Sequence, residues 1–197
     1  MKYFSTFLLM MYALGCGGCQ DSTGDLALND SSSSNEEVHN PITWDECGHQ
    51  IGEHPCNFTL NDQNGDSFSL YDHYGKVIVI DFSTMWCYYC RVAAAAAQNM
   101  QNQYGDQGLL YITILVEDAY GGEVDEREAA EWADEHGITT SPVLVGDRSF
   151  VDSTATTGYP ITGWPTVVII DKEMVLSNGI NGWSEQIVTG WIENELQ

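Results

Sequence analysis

Residues 77–90 read VIVIDFSTMWCYYC, and this stretch decides the fold. It opens with the nearly continuous apolar run 77–82, which is typical of a buried central strand. Cys87 and Cys90 follow three positions apart, and residues 91–104 have a helix-forming composition that includes five consecutive alanines. The pattern predicts a strand that delivers a Cys-x-x-Cys motif to the N-terminus of a helix.

This placement suits reactive thiols. The unpaired N–H groups and the dipole of a helix N-terminus favour a thiolate over a thiol. A thiolate can attack a disulfide, and a second cysteine can then resolve the mixed disulfide. The alternative interpretation is a static disulfide or half of a metal site, but no second Cys-x-x-Cys or His-x-x-x-His nearby completes a tetrahedral ligand set.

The rest of the chain alternates short apolar and helical segments. An Asn64-Gly65 turn predicts a hairpin, and glycine at position 137 ends an amphipathic helix. We expect strands at residues 58–60, 67–69, 109–116, 166–171 and 174–177, a short apolar segment at 143–145, a helical turn at 70–74, and helices at 126–136 and 185–196. Together these elements predict an α/β fold with a central mixed β-sheet flanked by helices.

Three further segments carry a resemblance to a known family. These are residues 55–60, residues 75–82 before the cysteine motif, and the Gly-Trp-Pro-Thr sequence of residues 163–166 before a late strand. The chain resembles the thioredoxin family over about residues 55–197. It is most similar to the envelope-tethered thiol–disulfide oxidoreductases of bacteria, a branch that includes proteins serving cytochrome c maturation. The resemblance implies a thioredoxin fold, disulfide exchange with protein substrates, and no cofactor or metal.

The resemblance also implies catalytic roles. Cys87, nearer the helix N-terminus, is the expected nucleophile, and Cys90, one turn inside, is the expected resolving thiol. Asp81, six residues before Cys87, matches the buried acid of thioredoxins. Burial would raise its pKa, so it could accept the proton that Cys90 loses. Alternatively, Asp81 is an acid near a strand end that is satisfied by local hydrogen bonds.

Pro165 matches the cis-proline of the family, in a loop that faces the cysteines and offers backbone hydrogen bonds to an extended substrate. We therefore expect substrate contacts at Trp86, Trp164, Pro165 and Thr166. Trp164 departs from the small or branched residues common before this proline, and is either a substrate platform or a packed loop residue. Trp86 is expected to cover the motif rather than to react.

Tyr88-Tyr89 replaces the Gly-Pro dipeptide of cytosolic thioredoxin, which tunes the redox poise of the cysteine pair. A tyrosine before the second cysteine is also similar to some envelope isomerases, so a thiol isomerase is an alternative function. Copper delivery by the same fold is another alternative, although no histidine lies near Pro165 in the sequence. Thr84 resembles the threonine of the peroxiredoxin motif, but Ile80 stands where that motif needs proline, which disfavours peroxidase activity.

Cys47 and Cys56 frame His49 and His54 in a Cys-x-His…His-x-Cys arrangement. Two thiolates and two imidazoles could bind zinc. We favour a structural disulfide, because an exported protein occupies an oxidising compartment and the ligand spacing is tight for one ion. Closing a loop of about ten residues would stabilise the fold by roughly 2.7 kcal/mol in the chain-entropy treatment.

The N-terminus predicts export. Lys2 precedes a short apolar core at residues 3–14, too short to span a bilayer comfortably. The sequence before Cys16, Ala-Leu-Gly, resembles the lipobox of bacterial lipoproteins, with leucine two rather than three positions before the cysteine. Cys16 is therefore the expected lipidation site and Cys19 a weaker alternative. An ordinary cleaved signal is the other interpretation.

We divide the chain into an export signal at residues 1–18, a disordered tether at 19–40, an N-terminal extension at 41–57 and a thioredoxin-like domain at 58–197. The tether is rich in Ser, Asp, Asn and Glu and has few apolar residues to bury. Such a layout predicts a lipid-anchored protein of the bacterial cell envelope, facing the periplasm or the exterior.

Six basic and 29 acidic residues give the chain a formal net charge of −23. This charge repels the phosphates of nucleic acids, so we expect no nucleic-acid partner. It also repels anionic lipid surfaces, which leaves the lipid anchor as the expected membrane contact. The expected partners are protein thiols and disulfides, and a protein that donates or accepts electrons.

Overall fold

The structure, a computed structural model, describes residues 41–197 except residues 153 and 157. The predicted export signal and tether lie outside the described residues, as do Cys16 and Cys19. Within the part that is described, no helix combines the length and apolarity needed to cross a membrane.

The core is a five-stranded mixed sheet, which confirms the predicted fold class. Its strands lie in the order β5-β4-β3-β6-β7, with β3 parallel to β4 and antiparallel to β6. β1 and β2 form a separate hairpin. The strands are β1 (Thr59–Asn61), β2 (Ser67–Ser69), β3 (Val77–Thr84), β4 (Leu109–Glu117), β5 (Val143–Val145), β6 (Thr166–Ile170) and β7 (Leu176–Asn181).

Three helices cover one face of this sheet: α1 (Tyr88–Tyr104), α2 (Glu126–His136) and α3 (Glu185–Glu195). Alternate residues of a strand point to opposite faces. Val77 and Val79 accordingly pack with the helices, whereas Ile78 and Ile80 pack with the aromatic residues of the hairpin and of the loop before β6. α1 connects β3 to β4 and α2 connects β4 to β5, so successive right-handed crossovers place both helices on the same side.

α1 begins at Tyr88, three residues before the start predicted from composition, because Cys87 caps it. The Cys87 sulfur accepts a hydrogen bond from the Cys90 backbone N–H at 3.3 Å. The alanines at 93, 94, 96 and 97 are buried, and their small side chains let the helix lie close to the sheet. The cysteine motif is therefore built into the first turn of α1 rather than placed before it.

The largest error in the predicted elements concerns β7, which was expected at residues 174–177 and spans Leu176–Asn181. The Asp171 carboxylate accepts hydrogen bonds from the N–H groups of Glu173 and Val175, and Met174 adopts a positive φ of 59°. This turn delays the strand. β7 then continues through Asn178-Gly179, a dipeptide that is more typical of a turn.

The N-terminal extension is fastened to the start of β7. The Gly52 N–H donates to the Leu176 carbonyl at 2.7 Å, and the Leu176 N–H donates to the Glu53 carbonyl at 2.9 Å. Trp44 stacks on His54 with ring centroids 3.8 Å apart. The extension thus covers part of an outer edge of the sheet, at the end opposite the cysteine motif.

Candidate redox site

Cys87 and Cys90 lie where β3 ends and α1 begins, and both are free thiols. Cys87 sits at the helix tip, and the Cys90 side chain is fully buried under the first turn. The Cys90 N–H points at the Cys87 sulfur, and this hydrogen bond stabilises negative charge on that sulfur. Cys87 is thus at the cap of the helix and Cys90 is one turn inside it, and both side chains are buried.

Asp81 is completely buried in β3, on the same side of the strand as the cysteine pair. The Ser83 hydroxyl donates to Asp81 Oδ1 at 2.7 Å, and the Tyr111 hydroxyl donates to Oδ2 at 3.3 Å. Burial raises the pKa of Asp81 to about 7, and the hydrogen bonds from Ser83 and Tyr111 oppose part of this rise. The carboxyl can therefore take up or release a proton near neutral pH.

The Cys90 thiol has a strongly raised pKa. Burial is the largest cause, followed by the hydrogen bond with Cys87, and the charge of Asp81 raises the pKa further. Ser83 acts in the opposite direction and lowers the pKa of Cys90, and its hydroxyl donates to Asp81 Oδ1, so Ser83 is near both groups. A thiol this difficult to ionise needs a base before it can attack, and Asp81 is the buried acid whose charge acts on it.

The Trp164–Pro165 peptide bond is cis, and Thr166 follows it as the first residue of β6. Thr166 pairs with Phe82, which brings this loop to the same end of the sheet as the cysteines. The Thr166 hydroxyl donates to the Gly163 carbonyl at 2.8 Å. The side chain of Trp164 packs against the core clusters of both faces. Its backbone N–H and carbonyl have no hydrogen-bond partner among the described residues.

Trp86 is half exposed beside Cys87, and its indole N–H donates to Glu117 Oε2 at 2.7 Å. Glu117 is a nearly buried carboxylate that also pairs with Arg148. The Glu117 carbonyl accepts from the Met85 N–H at 3.0 Å. Glu117 therefore fixes both the backbone and the indole that precede the nucleophile. Sequence reasoning did not identify this residue, although an acid closing an otherwise apolar strand was a usable signal.

Cys47 and Cys56 are joined in a disulfide with an S–S distance of 2.00 Å. His54 bonds through Nδ1 to the Met174 carbonyl at 2.8 Å rather than facing a shared ion position. Among residues 41–152, 154–156 and 158–197, no three His, Cys, Asp or Glu side chains are grouped so that they could hold a metal ion. This disulfide belongs to the extension, at the end of the sheet away from the Cys87–Cys90 pair.

Comparisons with known proteins agree with this geometry. The model of the AhpC/TSA family matches residues 51–178, which include both redox cysteines and the proline loop. The thioredoxin-like protein YneN of Bacillus subtilis is 26% identical over 133 residues, covering 68% of this chain and 72% of that protein. The thiol-disulfide oxidoreductase ResA of Halalkalibacterium halodurans is 23% identical over 145 residues, covering 73% and 76% respectively.

Among solved structures, the chain is similar to a thiol:disulfide interchange protein DsbE from Chlorobium tepidum. The TM-score is 0.63 at 19% identity, covering 76% of this chain and all of that one. The fold is therefore that of thioredoxin, and the names of the relatives agree with the expected oxidoreductase class. The matched region extends over more than half of the sequence and contains the whole site. The chain belongs to the AhpC/TSA family.

Proposed function

We propose that this chain is a thiol–disulfide oxidoreductase that exchanges disulfides with protein substrates through Cys87 and Cys90. The observation that carries the proposal is the set formed by the two free thiols at the tip of α1 and the buried Asp81 carboxyl, with the Ser83 hydroxyl bonded to Asp81 and near Cys90. This set supplies a nucleophile, a resolving thiol and a base for the resolving thiol.

In the first step, the Cys87 thiolate attacks one sulfur of a substrate disulfide. A bond forms between Cys87 and that sulfur, the substrate S–S bond breaks, and the other substrate sulfur leaves as a thiolate. The Cys90 N–H, 3.3 Å from the Cys87 sulfur, stabilises the negative charge before attack. The product is a mixed disulfide between enzyme and substrate.

In the second step, Asp81 accepts the Cys90 proton through the Ser83 hydroxyl, and the Cys90 sulfur attacks Cys87. The mixed disulfide breaks, the second substrate sulfur leaves as a thiolate, and an enzyme disulfide forms. Two electrons have then passed to the substrate. The steps are reversible, and the reduction potential of the pair relative to its partner protein sets their direction.

The proline loop is the proposed docking site for the substrate backbone. The free N–H and carbonyl of Trp164 can pair with an extended segment as one strand pairs with another. Because the Trp164 side chain packs into the core, we assign substrate contact to its backbone. Trp86, Pro165 and Thr166 complete the proposed contact surface.

We also propose that the protein is exported and lipid-anchored through Cys16, with residues 19–40 as a tether. The Cys47–Cys56 disulfide supports an oxidising location. The test is fractionation of cells that express the full chain with Cys16→Ser. We expect loss of the protein from the membrane fraction and release into the soluble exported fraction, whereas Cys19→Ser should leave the protein in the membrane.

Disulfide exchange is tested with insulin reduction and with trapping. We expect Cys87→Ser to abolish the activity and Cys90→Ser to accumulate mixed disulfides that a reductant releases. The matched control is Cys47→Ser/Cys56→Ser, which removes two cysteines outside the site and should retain exchange. Full activity in Cys87→Ser would overturn the assignment. Copper delivery through the same two thiols stays the alternative, and copper titration of the reduced protein tests it.

A further inference from the structure

The surface around Cys87 carries an exposed aromatic rim of three residues, Trp86, Tyr88 and Tyr89. Their exposed fractions are 47%, 72% and 62%. The two tyrosine rings meet edge to face with centroids 5.3 Å apart. Large aromatic side chains normally bury most of their area, so three exposed rings next to a nucleophile form a contact surface.

The two cations nearest the motif are both engaged by neighbouring groups. Arg91 donates to Glu135 at 2.8 Å and, through two nitrogens, to the Met85 carbonyl at 3.2 and 3.0 Å. Arg148 pairs with the nearly buried Glu117. Neither guanidinium is therefore free to attract an anionic or acidic substrate.

The other described cations lie elsewhere. Lys76 precedes β3 and Lys172 lies beside Gly75, so both are at the opposite end of the sheet, about 26 Å from the motif at 3.3 Å per strand residue. Arg127 pairs within α2 with Glu131 at 2.7 Å. In the described residues, the motif end of the sheet thus presents no uncommitted Lys or Arg.

Carboxylates occupy the same end. Asp118 directly follows Glu117, whose register partner is Thr84 in the strand leading to the motif. Asp118 Oδ1 accepts the N–H groups of Gly122 and Tyr120 at 2.7 Å each, which keeps the carboxyl ionised. The chain's net charge of −23 also gives the protein an overall negative field. A negative field and exposed π faces both attract cations.

We propose that the aromatic rim selects substrate disulfides whose cysteines are flanked by lysine or arginine. This inference rests on the proposed function and specifies its substrate class. The basic side chain lies over the rings of Tyr88 and Tyr89 while the substrate sulfur approaches Cys87. The surface would disfavour acidic segments, and an apolar segment would gain ring contact but no electrostatic attraction.

The test uses three disulfide-bonded peptides that differ only in having lysine, serine or glutamate beside each cysteine. The rate constant for reduction by the enzyme is divided by that of the same peptide with dithiothreitol, which removes the intrinsic effect of the flanking charge. At low salt we expect about a tenfold preference for lysine over serine, a further loss with glutamate, and weakening of both differences at 0.5 M NaCl.

Variants distinguish attraction of the basic side chain by the tyrosine rings from attraction by the negative charge of the protein. Tyr88→Leu/Tyr89→Leu should reduce the lysine-over-serine preference to about twofold, whereas Tyr88→Phe/Tyr89→Phe should keep it, because a phenyl ring retains its π face. Tyr74→Leu, an exposed tyrosine at the far end of the sheet, is the control and should behave as wild type. Equal normalised rates for the three peptides, or equal effects of the Leu and Phe pairs, would overturn the inference.

Reduction of bis(2-hydroxyethyl) disulfide, which is small and uncharged, distinguishes a failure of selection by the rim from a failure of disulfide exchange itself. If wild type reduces this reagent through Cys87 but treats the three peptides alike, selection by the rim is wrong and disulfide exchange stands. If neither the reagent nor any of the peptides is reduced, the proposed function itself fails.

Discussion

At the scale of single residues, the site depends on one buried carboxyl. Asp81 has no cation beside it among the described residues that it contacts, and only the Ser83 and Tyr111 hydroxyls bond to it. Burial therefore dominates, and it raises the pKa of Asp81 to about 7. This arrangement lowers stability at neutral pH, and in the proposed mechanism it provides a base for Cys90.

The cost of ionising Asp81 can be measured as stability. Its ordinary pKa is 3.8, so the unfolded chain loses the proton near pH 4 and the folded chain near pH 7. Between these values the folded state binds more protons, and the free energy of unfolding falls by about 4 kcal/mol as pH rises. We expect Asp81→Asn to match wild type near pH 4 and to be more stable at pH 8, by up to that amount, in urea denaturation. A variant less stable than wild type at pH 8 would contradict this.

Ser83 is expected to carry the proton between Cys90 and Asp81. Ser83→Ala removes the hydroxyl that donates to Asp81 and lies near Cys90, so the second step should slow by about tenfold. Quenched-flow trapping with a peptide disulfide should then show accumulation of the mixed disulfide. Ser83→Thr keeps a hydroxyl and should restore most of the rate. Equal rates in the Ala and Thr variants would show that the hydroxyl has no role in the transfer.

At the scale of elements, β4 positions the approach to the nucleophile. Its last residue, Glu117, accepts from the Trp86 indole, pairs with Arg148, and bonds through its carbonyl to the Met85 N–H. The end of one strand therefore holds the short link between its neighbour and α1. The cysteine motif is consequently fixed from the side of the sheet as well as from its own helix.

Removing the Glu117 carboxylate should release this link. Glu117→Leu leaves the Trp86 indole and the Arg148 guanidinium without their partner, so we expect a loss of about 1–3 kcal/mol in the free energy of unfolding. Glu117→Gln keeps an acceptor for the indole, so its free energy of unfolding should fall by less. Hydrogen exchange of the Trp86 indole N–H, assigned with Trp86→Phe, should accelerate in the Leu variant and change little in Gln. Unchanged exchange in both would contradict the role given to Glu117.

Elements with strong local sequence patterns could be predicted, whereas tertiary contacts between elements distant in the sequence could not. The apolar run before the cysteines predicted β3, and α2 begins and ends where its periodicity and Gly137 indicated. Ser83 was predictable in principle, because residues two apart share a strand face with Asp81. Arg148 was not, because its contact with Glu117 depends on the path of the loop after β5, for which the sequence has no periodic signal.

At the scale of the whole molecule, charge is the dominant property. Twenty-nine acidic residues against six basic ones repel one another in the compact state. The described ion pairs involve Arg91, Arg127 and Arg148. The exposure of these arginine side chains limits the stability that the pairs add, and only the Arg148 pair includes a nearly buried carboxylate. Folding therefore proceeds against a substantial net repulsion.

Salt should relieve this repulsion. Raising NaCl from 10 mM to 0.5 M shortens the screening length several-fold, so we expect the midpoint of thermal unfolding to rise by several degrees. KCl should act equally, since screening does not depend on the identity of the monovalent cation. Sucrose at the same osmolality stabilises the folded protein without screening its charges, so the midpoint in sucrose is compared with the midpoint in NaCl. A midpoint that falls or stays constant with NaCl would contradict the expectation.

The attachment of residues 52 and 53 to Leu176 has a consequence at high protein concentration. An outer strand with unsatisfied main-chain groups is a template on which another copy of a protein can stack. Here the chain's own leading segment occupies part of that template, and the Cys47–Cys56 link keeps the segment in place. Deletion of this segment would therefore favour aggregation and fibril growth, even if the sulfur chemistry at the opposite end of the sheet remained intact.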